Sequence, residues 1–280
     1  MLGNVQDGGI PHIACKKDCC MSLTEKDKRV LKITSLAFVD KIESKHYLFE
    51  ASNDITDQLN FLDQITGNKS KLEGIFLTHA HMGHYSGLLQ LGREAMGAKN
   101  ISVYVMPKMS EFLKSNAPWS QLVSLNNIKL KSLVENQSIK VSHQLDVSST
   151  IVPHRDEFSE TVGFFIKGRK KTAFFLPDID KWGKWDQSLK NILEKVDYAF
   201  LDGTFFDSAE INYRDISEIP HPFIIESLEL FNNLKNIDKA KVYFIHLNHT
   251  NPVLNKNSEE YKRVILSGFN VAEPGMEFVL

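Results

Sequence analysis

The stretch GIFLTHAHMGHYSGLLQL, residues 74–91, places three histidines within six residues. His79, His81 and His84 come directly after an apolar run that reads as a β-strand, and a second apolar run follows them. Neutral imidazole is a common ligand for zinc, iron and manganese. His79 and His81, two apart, suit an extended or turning segment, and His84 falls at a helix start. Gly83 and the small Ala80 leave the backbone room to turn tightly. A lone loop histidine is ordinarily a surface residue, whereas three gathered where a strand stops form a metal-binding pattern. Such a pattern needs a scaffold that holds strand ends rigidly together, as layered α/β folds do.

The remainder of the chain reads as such a scaffold. RVLKITSLAFVD and HYLFEAS alternate apolar and polar residues like strands, with DKIES as the turn between them. DITDQLNFLDQI carries apolar residues at 55, 59, 62 and 65, which is helix spacing. HYSGLLQLGREAMG predicts a helix ended by Gly97. ISVYVMP, SIKVSHQL, STIVPHR, TVGFFIKG, KTAFFLPD, DYAFLDGTFF and AKVYFIHLNHT predict strands. PKMSEFLKSN, APWSQLVSL, WDQSLKNILEKV, HPFIIESLELFNNL and SEEYKRVILSG predict helices. Strand runs early and late, with helices between, argue for one layered α/β domain over residues 1–280. His79, His154, Asp178, Asp202 and His246 all fall where predicted strands end.

With 42% hydrophobic residues the chain can bury a sizeable core, and its net charge of −2 gives no reason to expect a nucleic-acid partner. KGRKK, residues 167–171, reads as a solvated hairpin turn. No apolar run approaches the roughly 18 residues of a membrane span. No signal peptide is visible; the location is not legible, being cytoplasmic if the chain is complete and periplasmic if an N-terminal leader has been removed. Oligomeric state is not legible. The three cysteines, Cys15, Cys19 and Cys20, are too few and too close for a disulfide framework and read as a metal cluster.

His79-x-His81-x-Gly83-His84 resembles the His-x-His-x-Asp-His signature of the metallo-β-lactamase superfamily. FEASND resembles the strand-and-acid motif that precedes it. His154 in IVPHRDE, Asp178 in FFLPDID and His246 in VYFIHLNHT follow in the family's order. LGNVQDGGIPHIAC, VPHRDE, DGTFF, IHLNHTNPVL and GMEFVL resemble the pyrroloquinoline quinone biosynthesis protein B group. The resemblance implies a four-layer αββα sandwich with one or two metals in the cleft between its halves. It implies that His79, His81 and His154 hold one metal, that His84 and His246 hold a second, and that Asp178 bridges them. Asp178 and His246 are then also the residues expected to serve catalysis. Glu50 and Asp202 are candidates to support the histidines from behind, and Asp180 is expected to lie outside the ligand set. The signature's aspartate is Gly83 here, so a weaker second site is expected, one that Gly83→Asp should tighten.

Some superfamily relatives, a phosphonate-pathway phosphodiesterase among them, carry a structural zinc near the N-terminus. There three cysteines are completed by a histidine three residues after the last active-site histidine. On that resemblance Cys15, Cys19, Cys20 and His249 hold one structural zinc, with His12 as the alternative fourth ligand. His221, between two prolines, reads as a plain loop residue, with the substrate entrance as the alternative; His143 and His46 read as structural, and Trp119, Trp182 and Trp185 as core or surface packing.

The expected function is a metallo-hydrolase acting on a small-molecule ester, phosphodiester or lactone through a metal-bound hydroxide. Zinc is the expected active-site metal, with manganese or iron as substitutes. The alternatives are an iron-dependent oxidoreductase or hydroxylase of the quinone-cofactor biosynthesis type, and a metal-binding protein without catalysis. The substrate is not legible; its pocket walls are expected within residues 106–125 and 181–225.

Overall fold

The computed structural model describes residues 1–210 and 219–280. Five strands form one sheet in sequence order: β1 (Leu36–Asp40), β2 (Lys45–Phe49), β3 (Lys71–Phe76), β4 (Ile101–Val105) and β5 (Ile128–Ser132). β1 and β2 form an antiparallel hairpin, and β2 through β5 run parallel. The second sheet holds β6 (Ile139–Lys140), β7 (Asp146–Ile151), β8 (Val162–Lys167), β9 (Thr172–Leu176), β10 (Tyr198–Asp202), β11 (Val242–Ile245) and β12 (Asn270–Val271), again in sequence order across the sheet. It is antiparallel from β6 to β9 and parallel from β9 to β12.

The central strands are apolar on both faces, because each face meets a different core. On β9, Phe175 and Ala173 face the other sheet, while Phe174 and Leu176 pack toward the helices Leu189–Leu193 and Ile224–Leu230. On β3 the same alternation sends Phe76 between the sheets and Ile75 toward the helices Ile55–Thr66 and Pro107–Ser115. The inter-sheet core is aromatic: Phe49 stacks on Phe76 at 4.8 Å between ring centroids, and Phe164 meets both edge-on. Burying one such side chain contributes about 1.5–3 kcal/mol. Three cores, one between the sheets and one on each outer face, make the four-layer αββα sandwich.

Several elements differ from the sequence reading. The predicted strand 29–40 is a helix, Glu25–Val30, followed by the shorter β1. Thr24 and Asp27 form a capping box that starts that helix. The predicted helix 84–97 is one short turn, Met82–Tyr85, and a 3-10 segment, Ser86–Leu91. Gly87 lies against the backbone of Ala51 and Ser52, where a Cβ would come within 2.0 Å of the Ser52 carbonyl oxygen. β5 and β12 are additional strands.

Candidate metal centre

Five strands with parallel neighbours hand over polar residues at their carboxyl ends, where sites on open α/β sheets form. β2 ends before Glu50, β3 before His79, His81 and His84, β9 before Asp178, β10 in Asp202, and β11 before His246. β7 leads to His154.

His79, His81, His154 and Asp178 offer four ligand atoms within 4.8 Å of one another. His79 Nε2 lies 2.8 Å from His81 Nδ1, and His154 Nε2 lies 3.2 Å from the same atom. Asp178 Oδ2 is 3.4 Å from His79 Nε2, 3.2 Å from His154 Nε2 and 4.0 Å from His81 Nδ1. A tetrahedron built on metal bonds of 2.0–2.1 Å has edges of about 3.3–3.4 Å. The donors therefore fit a zinc-sized ion in spacing and in kind. His84 and His246 form a second group whose third member is Asp7, and a further set, Asp178, Asp202, His221 and His246, shares Asp178 with the first and His246 with the second. Asp178 Oδ2 lies 3.8 Å from His84 Nε2, so it stands between the two groups.

In each of the five histidines of the first two groups the nitrogen turned away from the centre has an oxygen near it. Thr78 Oγ1 is 2.9 Å from His79 Nδ1, and Glu157 Oε2 is 3.1 Å from His81 Nε2. Asp180 Oδ1 is 3.3 Å from His154 Nδ1, and Thr204 Oγ1 is 2.9 Å from His246 Nδ1. Glu50 Oε1 is 3.5 Å from His84 Nδ1. Outer oxygens of this kind fix ring orientation and tautomer in metal sites. Both ring nitrogens of His84, both carboxylate oxygens of Glu50 and Asp178 Oδ1 are buried without a hydrogen bond. Buried polar atoms without partners are costly, and a cation between them removes that cost.

The electrostatics follow from burial and close pairing. Burial pushes the Asp178 carboxyl up, but His221 and His154 outweigh it and hold it well below the usual range. Burial lowers His84, yet Asp7 and Glu50 raise it well above the ordinary value. His79 is lowered by burial and by the neighbouring His84.

Asp7 and His221 are the residues that sequence reasoning missed. Asp7 lies in VQDGGIP, where an acid before two glycines was the available signal. His221 is buried rather than a plain loop residue. Its Nδ1 lies 2.9 Å from Asp202 Oδ2 and 3.1 Å from Asp178 Oδ1. Asp202 therefore backs His221 directly, and reaches His246 through Thr204 Oγ1, to which it is hydrogen-bonded at 2.7 Å. Asp180 falls outside both groups, with its second oxygen 2.7 Å from Lys184 Nζ.

The thiols of Cys15, Cys19 and Cys20 and a ring nitrogen of His249 form a separate set within 4.8 Å. His12 is not in that set; its ring stacks on His249 at 4.3 Å. Burial and the adjacent thiols push Cys19 up to about 12. His46 is buried on β2 and His143 is exposed, both away from these groups. Trp185 is core, and Trp119 packs on Tyr85 and Phe112.

A cavity of about 540 Å³, lined by Lys108, Phe112, Asp156, Glu157 and Phe158, meets the centre only through Glu157, the partner of His81 Nε2, and contains none of the ligands. It takes one wall from the expected 106–125 segment. Of the other expected span, 211–218 lie outside the described residues. A larger cavity of about 730 Å³ lies at the opposite end of the sheets, near Arg169, Phe278 and Leu280, and contains none of these ligands.

The model of the beta-lactamase superfamily domain matches residues 45–247, which include every histidine and Asp178 of the two cleft groups. The chain belongs to the beta-lactamase superfamily. Over its whole length it is 26% identical to coenzyme PQQ synthesis protein B of Methylococcus capsulatus, covering 99% of that protein. Among solved structures, Zn(2+)-bound PqqB from Methylobacterium extorquens superposes with a TM-score of 0.82 at 22% identity, covering 100% of this chain and 98% of that one. A diphosphatase from the PhnP family superposes with a TM-score of 0.67 at 20% identity, over 98% and 93%. At these identities the superpositions establish the superfamily's fold. Among the described residues no helix is long and apolar enough to cross a membrane.

Proposed function

We propose that this superfamily member is a metal-dependent hydrolase of a small-molecule ester, phosphodiester or lactone. The observation that carries the reading is the His79, His81, His154 and Asp178 group, whose donor spacings suit a zinc-sized ion. His84 and His246, on the far side of Asp178, are proposed to hold a second metal. A divalent metal bound there supplies Lewis acidity and lowers the pKa of its water toward about 7. The chain's own residues set the geometry. Thr78, Glu157, Asp180 and Thr204 lock their histidines from behind, and Glu50 stands 3.5 Å behind His84. Asp178 would serve both positions, since its Oδ2 lies 3.4 Å from His79 Nε2 and 3.8 Å from His84 Nε2. His221 is held through Nδ1 by Asp202, with Asp178 Oδ1 3.1 Å away, and its other nitrogen is proposed to pass a proton to the leaving oxygen. Phe112, Phe158 and Lys108 are proposed to wall the substrate side. Cys15, Cys19, Cys20 and His249 are proposed to hold one structural zinc, since a set with four protein ligands leaves no open position.

The likeness to coenzyme PQQ synthesis proteins supports a second reading, iron-dependent oxidation of a small molecule at the same ligands. Nitrogen and carboxylate donors suit iron as well as zinc. Protein expressed without chelator and analysed for metal, then assayed for esterase, phosphodiesterase and lactonase turnover and for oxygen consumption, separates the two. Zinc or manganese with hydrolytic turnover that His81→Ala abolishes is the expected result. Redox-active iron with oxygen uptake and no hydrolysis would favour the second reading, and a filled site without turnover in any assay would favour neither.

A further inference from the structure

We infer that Asp7, carried on the N-terminal loop, is the carboxylate ligand of the second metal position, and that residue 83 is glycine because Asp7 occupies its side-chain space. This rests on the metal-centre reading above and extends it to a residue outside the histidine signature. Asp7 Oδ1 lies 2.9 Å from His84 Nε2 and 2.9 Å from His246 Nε2. The His246 contact is a hydrogen bond, whereas His84 Nε2 is buried without one. The far nitrogens of the same two rings face Glu50 and Thr204. Both imidazoles therefore present Nε2 to Asp7 Oδ1, and Asp178 Oδ2 lies 3.8 Å from that of His84. Two imidazoles and a carboxylate are a donor set for zinc, manganese or iron.

The exchange with position 83 is steric. A Cβ on Gly83 would stand 2.6 Å from Asp7 Cα and 2.7 Å from its Cβ and Cγ. A side chain at 83 and Asp7 cannot both be in place. The loop is built to hold Asp7 there. Val5 pairs with Ile33 and with Leu247, the neighbour of His246. Gln6 N–H donates to the Leu247 carbonyl and Leu247 N–H to the Asn4 carbonyl, at 2.9 and 2.8 Å. Gly9 N–H donates to the Gln6 carbonyl at 2.8 Å, closing a turn around Asp7. The carboxylate missing from the signature is thus supplied by a loop 76 positions earlier in the chain. The expected weakness of the second site, and its repair by Gly83→Asp, are both replaced by this assignment.

The test counts metal rather than turnover. In a His81→Ala background the second position is the one left in the cleft, and the cysteine cluster adds a constant background. Zinc competition and elemental analysis are run on that chain with Asp7→Asn, with Gly83→Asp, and with Asp7→Gly and Gly83→Asp together. Asp7→Asn should weaken the cleft zinc tenfold or more while the fold, read by far-UV dichroism, is kept. Gly83→Asp alone should not strengthen it, and the double exchange should recover part of the loss. Asp7→Asn binding zinc as tightly as its parent would overturn the inference and reduce Asp7 to a hydrogen-bond acceptor. Should the double variant not fold, the Asp7→Asn result decides alone. Absence of zinc at the His79, His81 and His154 group in the unmodified chain would instead overturn the reading beneath it.

Discussion

Asp178 and Asp180 lie two residues apart beyond the end of β9 and meet different partners. Asp178 is buried among the histidines of both groups, whereas Asp180 stands behind His154 and pairs with Lys184. Asp178→Ala should abolish turnover and empty the cleft at any metal concentration. Asp180→Ala should leave the ligand set intact but free the His154 ring. Losing such an outer partner costs about 10–100-fold in metal affinity or activity. Turnover titrated against added metal checks this: the Asp180 variant should be rescued and the Asp178 variant should not. The opposite pattern would place the bridging carboxylate at 180. The split was legible in FFLPDID, because the apolar run fixes where the strand ends. Asp7 was not, since no local pattern announces that a loop from the start of the chain will close on residues 84 and 246. His221 was hidden for a related reason. Its role comes from Asp202 and Asp178, on two other strands, and from nothing in PHPF itself.

At the scale of elements, strands buried on both faces were the easiest to read, because VGFFIK and TAFFL have no solvated face to interrupt the apolar run. IKLKS of β5, a Lys-bearing edge strand, escaped notice although its alternation is regular. The helix after the signature was over-read because spacing alone does not register the close approach of Gly87 to the 51–52 backbone. β2 carries a testable consequence in His46, which is 2% exposed. Its Nδ1 meets Ser70 Oγ at 2.9 Å and its Nε2 has no partner. Burial lowers its pKa to about 4, from 6.5 in the unfolded chain. As pH falls through 6.5 the unfolded chain takes up a proton that the folded strand refuses. The stability contribution is therefore complete above about pH 6.5 and is lost progressively toward pH 4, in total roughly 3 kcal/mol at most. Urea unfolding at pH 7 and pH 5 should show the natural chain losing about 2 kcal/mol more than His46→Leu does. Equal losses would mean that His46 is protonated without cost in the folded strand.

Across the whole molecule, the two cleft groups draw on both sheets, and the loop that carries Asp7 is fastened at each end to the segment that carries His246. Upstream the fastening is the pairing of Val5 with Leu247. Downstream it is the Cys15, Cys19, Cys20 and His249 cluster, three residues past His246. A zinc in that cluster contributes to folding because the set does not exist in the unfolded chain. Cys15→Ser should remove that zinc and lower the melting temperature by roughly 5–15 °C, if several kcal/mol are lost. The loop's position makes a second effect follow. With its downstream anchor gone, Asp7 is held only by the upstream pairing of Val5 with Ile33 and Leu247, so the second cleft position should bind zinc more weakly while His79, His81 and His154 keep theirs. Metal per folded chain should then fall by more than one equivalent at limiting zinc, and excess zinc should restore the cleft but not the cysteine cluster. A loss of one equivalent, with unchanged cleft affinity, would show that the upstream pairing is sufficient to hold Asp7 and that the cysteine cluster stabilises the chain without tuning the site.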